Sequence, residues 1–504
     1  MKNITIIGGG ACGTAVFIEL LLQIAASEHS KETQITIVEK DEQLGYGLAF
    51  GTEQPGHLLN TQAELMGIHV HEPEHFVEWI KQQGGKDRED VKGQGKTEHT
   101  YTTRQLYGDY VSSNATYYRK KAEELSIPLQ VIHAEAIDIQ RVSDRYEVIC
   151  QDGTVLSADF IVLAVGTPKP NNYKELLHYP EYIDFPWPSH RIIHRVDAED
   201  HVGILGTSLS AIDAVMTLVD NGHGGSISLF SPDGMLPKVQ PQKNKDYQRQ
   251  ILTIANIHKG KREKWQKVKV KEIFRLFQQE VAAYFKKGVD WKAQDREKKP
   301  ADELLEADIS KAERGGDDLL TLVYSLRYEA GTIWRMLDIE EKQFFKKWLG
   351  SNWMANRHAM PLYNAYRLQA LFEEKKLKVY PGLKGVEFNN INRSFTLTLE
   401  DSEEHQLDKL INATGSSSQL EKMDCELVDN LLKKGYLTSY PVGGALIDGL
   451  TMQTISPKGG EGIYALGHLV NGIMLDVNAV WFNVRTAAIL CESILSKLEN
   501  GRIS

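Results

Sequence analysis

Near the start of the chain, Gly8-Gly9-Gly10-Ala11-Cys12-Gly13 has the residue types and spacing to hold a pyrophosphate. Gly8 permits a tight turn, Gly10 lets the backbone approach the ligand, and Gly13 lets the next helix lie close to the preceding strand. The phosphates would sit on the unpaired N–H groups of that helix start, which begins with Ala11 and Cys12. Glu39 ends a β-branched run, Gln34-Ile35-Thr36-Ile37-Val38, where its carboxylate can accept a hydrogen bond from a ribose diol, and Lys40 follows it. A second glycine turn, Gly206-Thr207-Ser208-Leu209-Ser210, repeats the pattern. There Ser208 replaces the middle glycine, and its Cβ narrows the room for a pyrophosphate. No arginine follows the next strand, 226–230, so these residues do not choose between NADH and NADPH.

The elements needed to position these turns can be read directly. Ile4-Thr5-Ile6-Ile7 and 202–205 are short apolar runs of the kind that form buried parallel strands, and each feeds a helical pattern. Two further apolar runs, 160–165 and 409–414, end in turns at Gly166 and Gly415, where a chain can leave one domain for the next. A last strand enters a turn at Gly467, followed by Asn471-Gly472 and a helix from about 477 to 498. The expected fold class is α/β, with two Rossmann-like dinucleotide-binding domains and a helical insertion. The expected division is 1–166 and 413–504 for the first domain, 167–237 and 353–412 for the second, and 238–352 for the insertion.

Composition narrows the function classes. The chain has 504 residues, 41% hydrophobic and 25% charged, with net charge -10, a balance that suits a globular protein and argues against nucleic-acid binding. Four cysteines, Cys12, Cys150, Cys425 and Cys491, lie far apart with no CxxC pair or zinc-ligand spacing, so neither a dithiol centre nor a metal site is expected. The longest apolar stretch, 18–26, is too short to span a bilayer, and the expected location is the cytoplasm.

Together these motifs resemble the FAD/NAD(P)-binding flavoproteins related to class B flavin monooxygenases and N-hydroxylating amine monooxygenases. The resemblance is carried by residues 8–13, the block Gly45-Tyr46-Gly47-Leu48-Ala49-Phe50-Gly51-Thr52, and His57-Leu58-Leu59-Asn60. Arg104-Gln105-Leu106-Tyr107-Gly108, residues 206–213 and Ala413-Thr414-Gly415 add to it. It covers most of 1–235 and 353–504, and it implies FAD on the first fold and NAD(P)H on the inserted second one. Gly45, Tyr46, Gly47, Ala136, Ile137, Gly166, Gly415, Gly467 and Asn471 then join the expected cofactor-binding set. The C-terminal helix would aim its dipole at the flavin's pyrimidine edge. His57 and Asn60 fall where a polar group could reach flavin N5 or a substrate, and Arg104 where its fork could take a phosphate or carboxylate. The alternatives are a turn-capping His57, a backbone-bonded Asn60 and a surface Arg104. One departure stands out: the F-x-G-x-x-x-H-x-x-x-W/Y pattern of class B monooxygenases is replaced by Tyr182-Ile183-Asp184-Phe185-Pro186-Trp187-Pro188-Ser189-His190.

Asn356 and Arg357 offer a grip on a small anionic substrate, and His358 beside them an acid/base or simply a structural imidazole. Residues 238–299 hold 18 Lys and Arg against 7 Asp and Glu, net +11, which leaves -21 for the rest. Ile273, Phe277, Val281, Tyr284 and Phe285 recur at helical spacing there, and further helices are expected over 317–337 and 338–349. Asp338-x-x-Glu341 would open the latter as a capping box. The insertion is read as a lid, an oligomer surface, or a membrane- or partner-binding face. The favoured function is a monooxygenase that hydroxylates a small nucleophile, an amine among the candidates, using molecular oxygen through a peroxyflavin. The alternatives are an NAD(P)H-dependent reductase and a flavin-bearing redox sensor.

Overall fold

The computed structural model describes residues 1–28, 32–93, 95–286, 288–291, 294–458 and 460–500. Two parallel five-stranded sheets organise it. The first runs in the order Ile463–Ala465, Phe160–Leu163, Lys2–Ile7, Thr33–Glu39, Leu129–His133. Its central strand is buried on both faces because Ile4, Thr5 and Ile6 leave neither face polar enough for water. Helix Ala11–Ala25 packs against the long C-terminal helix Val480–Asn500, so the two ends of the chain share one core. An antiparallel meander, Ala136–Val142, Arg145–Cys150 and Val155–Ala158, is attached to this domain.

The second sheet has the order Tyr182–Ile183, Lys409–Asn412, Val202–Leu205, Ile227–Ser231, Leu377–Pro381. Register shows how closely it copies the first. Ile7 pairs with Val38 on one side and Leu163 on the other, and Leu205 pairs with Phe230 and Asn412. Each glycine turn therefore leaves a central strand, with the nucleotide-acid position on one neighbour and an Ala-x-Gly turn on the other. This is the α/β architecture with two Rossmann-like domains that the motifs imply.

The helical insertion fills the crossover between strands Ile227–Ser231 and Leu377–Pro381. It contains helices Ile254–Lys264, Val270–Phe285, Ala301–Glu313, Asp318–Ser325, Ala330–Arg335 and Ile339–Arg357. A separate apolar cluster around Leu252, Val270, Ile333 and Trp334 holds it together. The helix expected over 317–337 is two helices, and the chain between them carries Arg327 and Tyr328. The helix expected to stop at 349 continues to Arg357. Half of the capping box forms, since Asp338 accepts the Glu341 N–H at 3.0 Å. The Glu341 carboxylate instead accepts the Val270 N–H at 2.7 Å, capping a neighbouring helix.

Buried charges anchor this region. Glu280 is fully buried, and its carboxylate accepts the N–H groups of Gln250, Ile251 and Leu252 and the Tyr247 hydroxyl. Lys238 pairs with Asp317 at 2.9 Å where the insertion begins, and Asp317 caps helix Asp318–Ser325. Among the described residues no helix is long and apolar enough to cross a membrane.

Candidate functional site

The first glycine turn is shaped by two steric demands. Gly8 has φ +103°, and a Cβ there would sit 2.3 Å from the Ala164 carbonyl oxygen. A Cβ on Gly13 would sit 1.8 Å from the Gly8 carbonyl oxygen. Gly10 is different. It caps helix Ala11–Ala25 without a side chain, and an added Cβ would meet only Gly47 Cα, at 3.5 Å. The folded chain thus tolerates a side chain at Gly10; what forbids one is the use of the space between the two glycine segments. The first-turn amides at Ala11 and Cys12 lie at this uncapped helix start, the ordinary place for an anion.

The surrounding candidates have distinct roles. Glu39 is buried at its strand end, accepting the Gly9 N–H at 2.5 Å and the Asp41 N–H at 3.1 Å. Gly45, with φ +100°, is required by packing, since a Cβ would meet Ser112 N at 2.6 Å. Tyr46 donates to Asp109 at 2.7 Å, and burial together with that carboxylate pushes its pKa to about 12. Gly467 brings the C-terminal segment against the first turn, its added Cβ being 3.6 Å from Cys12 Sγ. Asn471 ends the short turn Gly467–Val470. Gly166 and Gly415 have φ +73° and +80° with nothing near an added Cβ, the same open turn in both domains. Ala136 and Ile137 open the meander half-buried, and Lys40 is exposed, 3.9 Å from Glu135. An uncapped helix start, a glycine-walled gap and a strand-end carboxylate fit a dinucleotide.

The second turn copies the frame and alters the contents. Gly206 has φ +118°, and an added Cβ would lie 2.6 Å from the Ala413 carbonyl oxygen, as Gly8 does against Ala164. Ser208 caps helix Leu209–Asp220 with no side-chain hydrogen bond and is exposed; Ser210, the second residue of that helix, is half-buried. Ala211 replaces Gly13, and Ser231 stands where the first domain has Glu39. Thr207 donates to the Met235 carbonyl oxygen at 2.8 Å and to Ser231 at 3.2 Å.

Two expected flavin-side groups serve another purpose. His57 is fully buried, with Nδ1 2.9 Å from the Thr52 hydroxyl and Nε2 2.9 Å from both the Asp213 carbonyl oxygen and the Thr217 hydroxyl. A carbonyl only accepts, so Nε2 carries the proton and Nδ1 accepts from Thr52. Burial lowers the His57 pKa and holds the ring neutral. With both nitrogens engaged, His57 is a tie between the domains and not a flavin-side acid or base. Arg104 is likewise not the expected phosphate or carboxylate ligand. It pairs with Asp213 at 2.7 Å, lies over the Trp187 ring, and donates its backbone N–H to the His57 carbonyl oxygen. Gly56 N–H donates to Asp220 on the same helix, and Arg367 pairs with that carboxylate.

Motif spacing does not reveal Gln240, which ties the Asn60 segment to the chain beside His358. Its side-chain amide donates to the carbonyl oxygens of Asn60 at 2.5 Å and Ala359 at 2.6 Å, and its oxygen accepts the Tyr101 hydroxyl at 3.0 Å. Parallel pairing of Val239–Gln240 with Met360–Pro361 holds it there. The half-buried Asn60 side chain makes no hydrogen bond to the described residues. Asn356 donates to the Asn352 carbonyl oxygen and keeps a buried Oδ1 without a partner. Arg357 faces the buried Asp476 at 3.4 Å, so its charge is already partly answered. His358 is pushed down to about 4 by burial and by Arg357, which leaves it neutral at pH 7 and too weak to be the expected acid/base. Gln62 bonds the Gln242 carbonyl oxygen at 2.7 Å, and Trp334 donates to the Gly472 carbonyl oxygen at 2.8 Å. The insertion therefore touches both the 57–62 loop and the 467–476 segment.

Comparison with known proteins agrees with this geometry. Residues 5–168 match the family described as FAD-NAD(P)-binding. The Escherichia coli (strain K12) protein YdhS is 22% identical over 462 residues, which is 82% of this chain and 83% of that one. Ornithine hydroxylase PvdA from Pseudomonas aeruginosa superposes with TM-score 0.59 at 13% identity, covering 99% of both chains. L-lysine 6-monooxygenase from Pseudomonas syringae gives 0.58 at 13% identity, over 98% of this chain and 99% of that one. At such identities the likeness to solved structures is one of fold. Residues 5–168 thus match the FAD-NAD(P)-binding family model, and the whole chain shares the fold of those hydroxylases.

Proposed function

We propose that the protein is an FAD-dependent oxidoreductase that uses NAD(P)H and molecular oxygen to hydroxylate a small nucleophilic substrate. The supporting observation is a set of contacts: the insertion bonds the 57–62 loop through Gln240 and the Gln242 carbonyl, and the 467–476 segment through Trp334, and we read it as a roof over the site. A roofed site excludes water, which a hydroxylation needs and an exchange of electrons with a large partner does not. Bound FAD supplies the two-electron carrier between the nicotinamide and oxygen. The chain's own groups bind and orient. Glu39 and the Ala11 and Cys12 amides hold the dinucleotide, and the tie through His57 and Arg104 fixes the second fold against the first. The half-buried Asn60 amide makes no hydrogen bond to the described residues and is left for a ligand. An amine is the candidate nucleophile, in line with the structural relatives named for ornithine and lysine.

The reaction balances as substrate, NAD(P)H, a proton and O2 giving hydroxylated substrate, NAD(P)+ and water. The test supplies 18O-labelled oxygen and an amine panel to the holoenzyme with NADH or NADPH. Label in the product, with little hydrogen peroxide, is the expected result. NAD(P)H consumption with oxygen returned wholly as peroxide across the panel would favour the reductase.

A further inference from the structure

Among the described residues, the arginines drawn furthest inward mostly have a carboxylate. Arg104 faces Asp213, Arg249 faces Glu329, Arg296 faces Asp308 and Arg357 faces Asp476. Arg327 is the exception. It lies in the break between helices Asp318–Ser325 and Ala330–Arg335, with its guanidinium over the Tyr324 ring, 5.2 Å from the centroid. Its Nε is buried without a hydrogen-bond partner, and it forms no ion pair among the described residues. Burial and the like charge of Arg357 both lower its pKa.

The charged groups facing Arg327 do not satisfy it. Arg357 repels it, and the carboxylates of Asp476 and Glu64 attract it without either forming an ion pair with it; Asp476 pairs with Arg357. The other neighbours are the phenols of Tyr101, Tyr324 and Tyr328, and the Tyr328 ring packs edge-on against Trp481. Arg327 is half-buried with no ion pair among the described residues, so the terminal nitrogens of its fork are left for an anion from outside the chain. The Tyr101 hydroxyl also bonds Gln240, which bonds the Asn60 carbonyl oxygen, so the guanidinium neighbours the segment that carries Asn60.

We propose that Arg327 anchors a planar oxyanion, a carboxylate, on a substrate whose body is apolar or aromatic. The inference rests on the function proposed above. The planar fork donates two parallel hydrogen bonds to a carboxylate, and the aromatic neighbours suit a flat body. A bare ammonium in the same place would meet two guanidinium groups, so a simple diamine is excluded from this end of the site.

The test uses the holoenzyme and three probes of one shape: benzoate, benzamide and benzylamine. Binding is followed by titration calorimetry and by the change in the flavin spectrum. Benzoate is expected to bind at least tenfold more tightly than the other two. Arg327→Met should erase that preference, and Arg327→Lys should keep only part of it. FAD content and the rate of reduction by NAD(P)H should be unchanged in both variants. Arg327→Met should also leave Tm unchanged or raise it, because it removes a half-buried charge that has no ion pair among the described residues. Equal binding of benzoate by wild type and Arg327→Met, or a Tm lower by several degrees, would overturn the assignment. If Arg327→Met does not fold, that outcome counts against it as well, since a structural arginine behaves that way. Benzoate preference without any 18O incorporation would leave the anion site standing and sink the monooxygenase.

Discussion

The two glycine turns share a skeleton and differ in every position that would touch a ligand. Gly8 and Gly206 have φ +103° and +118°, and both crowd the alanine carbonyl of a neighbouring strand. Past that point they diverge: Gly10 against Ser208, Gly13 against Ala211, Glu39 against Ser231. The first turn closes tightly and carries an acid at its strand end, which suits a ligand that stays. The second carries a Cβ on its helix cap and hydroxyls in place of the carboxylate, which suits a ligand that arrives and leaves. Residues demanded by the fold are thus common to both turns, and residues demanded by the ligand are where they separate.

The sharpest way to break the comparison is at Gly13. Gly13→Ala places a methyl 1.8 Å from the Gly8 carbonyl oxygen, so the strand and helix must part; a cost above about 3 kcal/mol and loss of FAD are expected. Ala211→Gly in the second turn should cost only about 1 kcal/mol, the usual penalty for glycine within a helix. Thermal melts of both variants check this, and similar melting losses would mean the turns are built alike. The next largest effect separates ligand from fold. Gly10→Val should release FAD while the unfolding transition moves little, because the folded chain leaves room for a Cβ there. Ser208→Val should leave FAD in place and raise the KM for NAD(P)H roughly tenfold, about 1.4 kcal/mol. FAD loss from the Ser208 variant would merge the two sites.

Acid should act on the roof and spare the turns. His358 is held near 4 in the folded protein and near 6.5 when unfolded, so below pH 6.5 the unfolded chain binds a proton that the folded one refuses. Its stability contribution is full above pH 6.5 and is lost as pH falls towards 4. At 1.36 kcal/mol per unit the loss is at most roughly 3 kcal/mol. Urea melts of wild type and His358→Gln at pH 7 and pH 4.5 should converge as the pH falls; parallel behaviour would remove His358 from the acid response.

Motif spacing was informative where a residue type answers a local demand. The glycines at 8, 13 and 206 are forced by contacts with strand ends that the motif itself places nearby. It was uninformative where a side chain answers to distant chain. His57 was expected at the flavin because it follows the glycine block, yet its partner Thr217 lies 160 residues on. Arg104 finds Asp213 109 residues away, and Gln240 finds Asn60 across 180. The 317–337 segment read as one helix because its apolar spacing continues through the break. Arg327 is distinguished by forming no ion pair among the described residues, and no local pattern records an absence.

A smaller effect tests whether the second turn can be given the first turn's preference. In the first domain the Glu39 position is an acid that a ribose diol can meet; in the second it is Ser231, 3.2 Å from Asp233. Placing a carboxylate at Ser231 alone would set two like charges against each other, so the informative variant is Ser231→Asp with Asp233→Asn. The new carboxylate can still accept from the Thr207 hydroxyl and the Gly234 N–H, which Ser231 now engages. It would also accept from the diol of NADH and repel the 2′-phosphate of NADPH. The expected change is a three- to tenfold gain in kcat/KM for NADH over NADPH, about 0.7 to 1.4 kcal/mol. If the ratio does not move, the nicotinamide nucleotide does not place its ribose at this strand end, and the likeness between the two turns ends at their backbones.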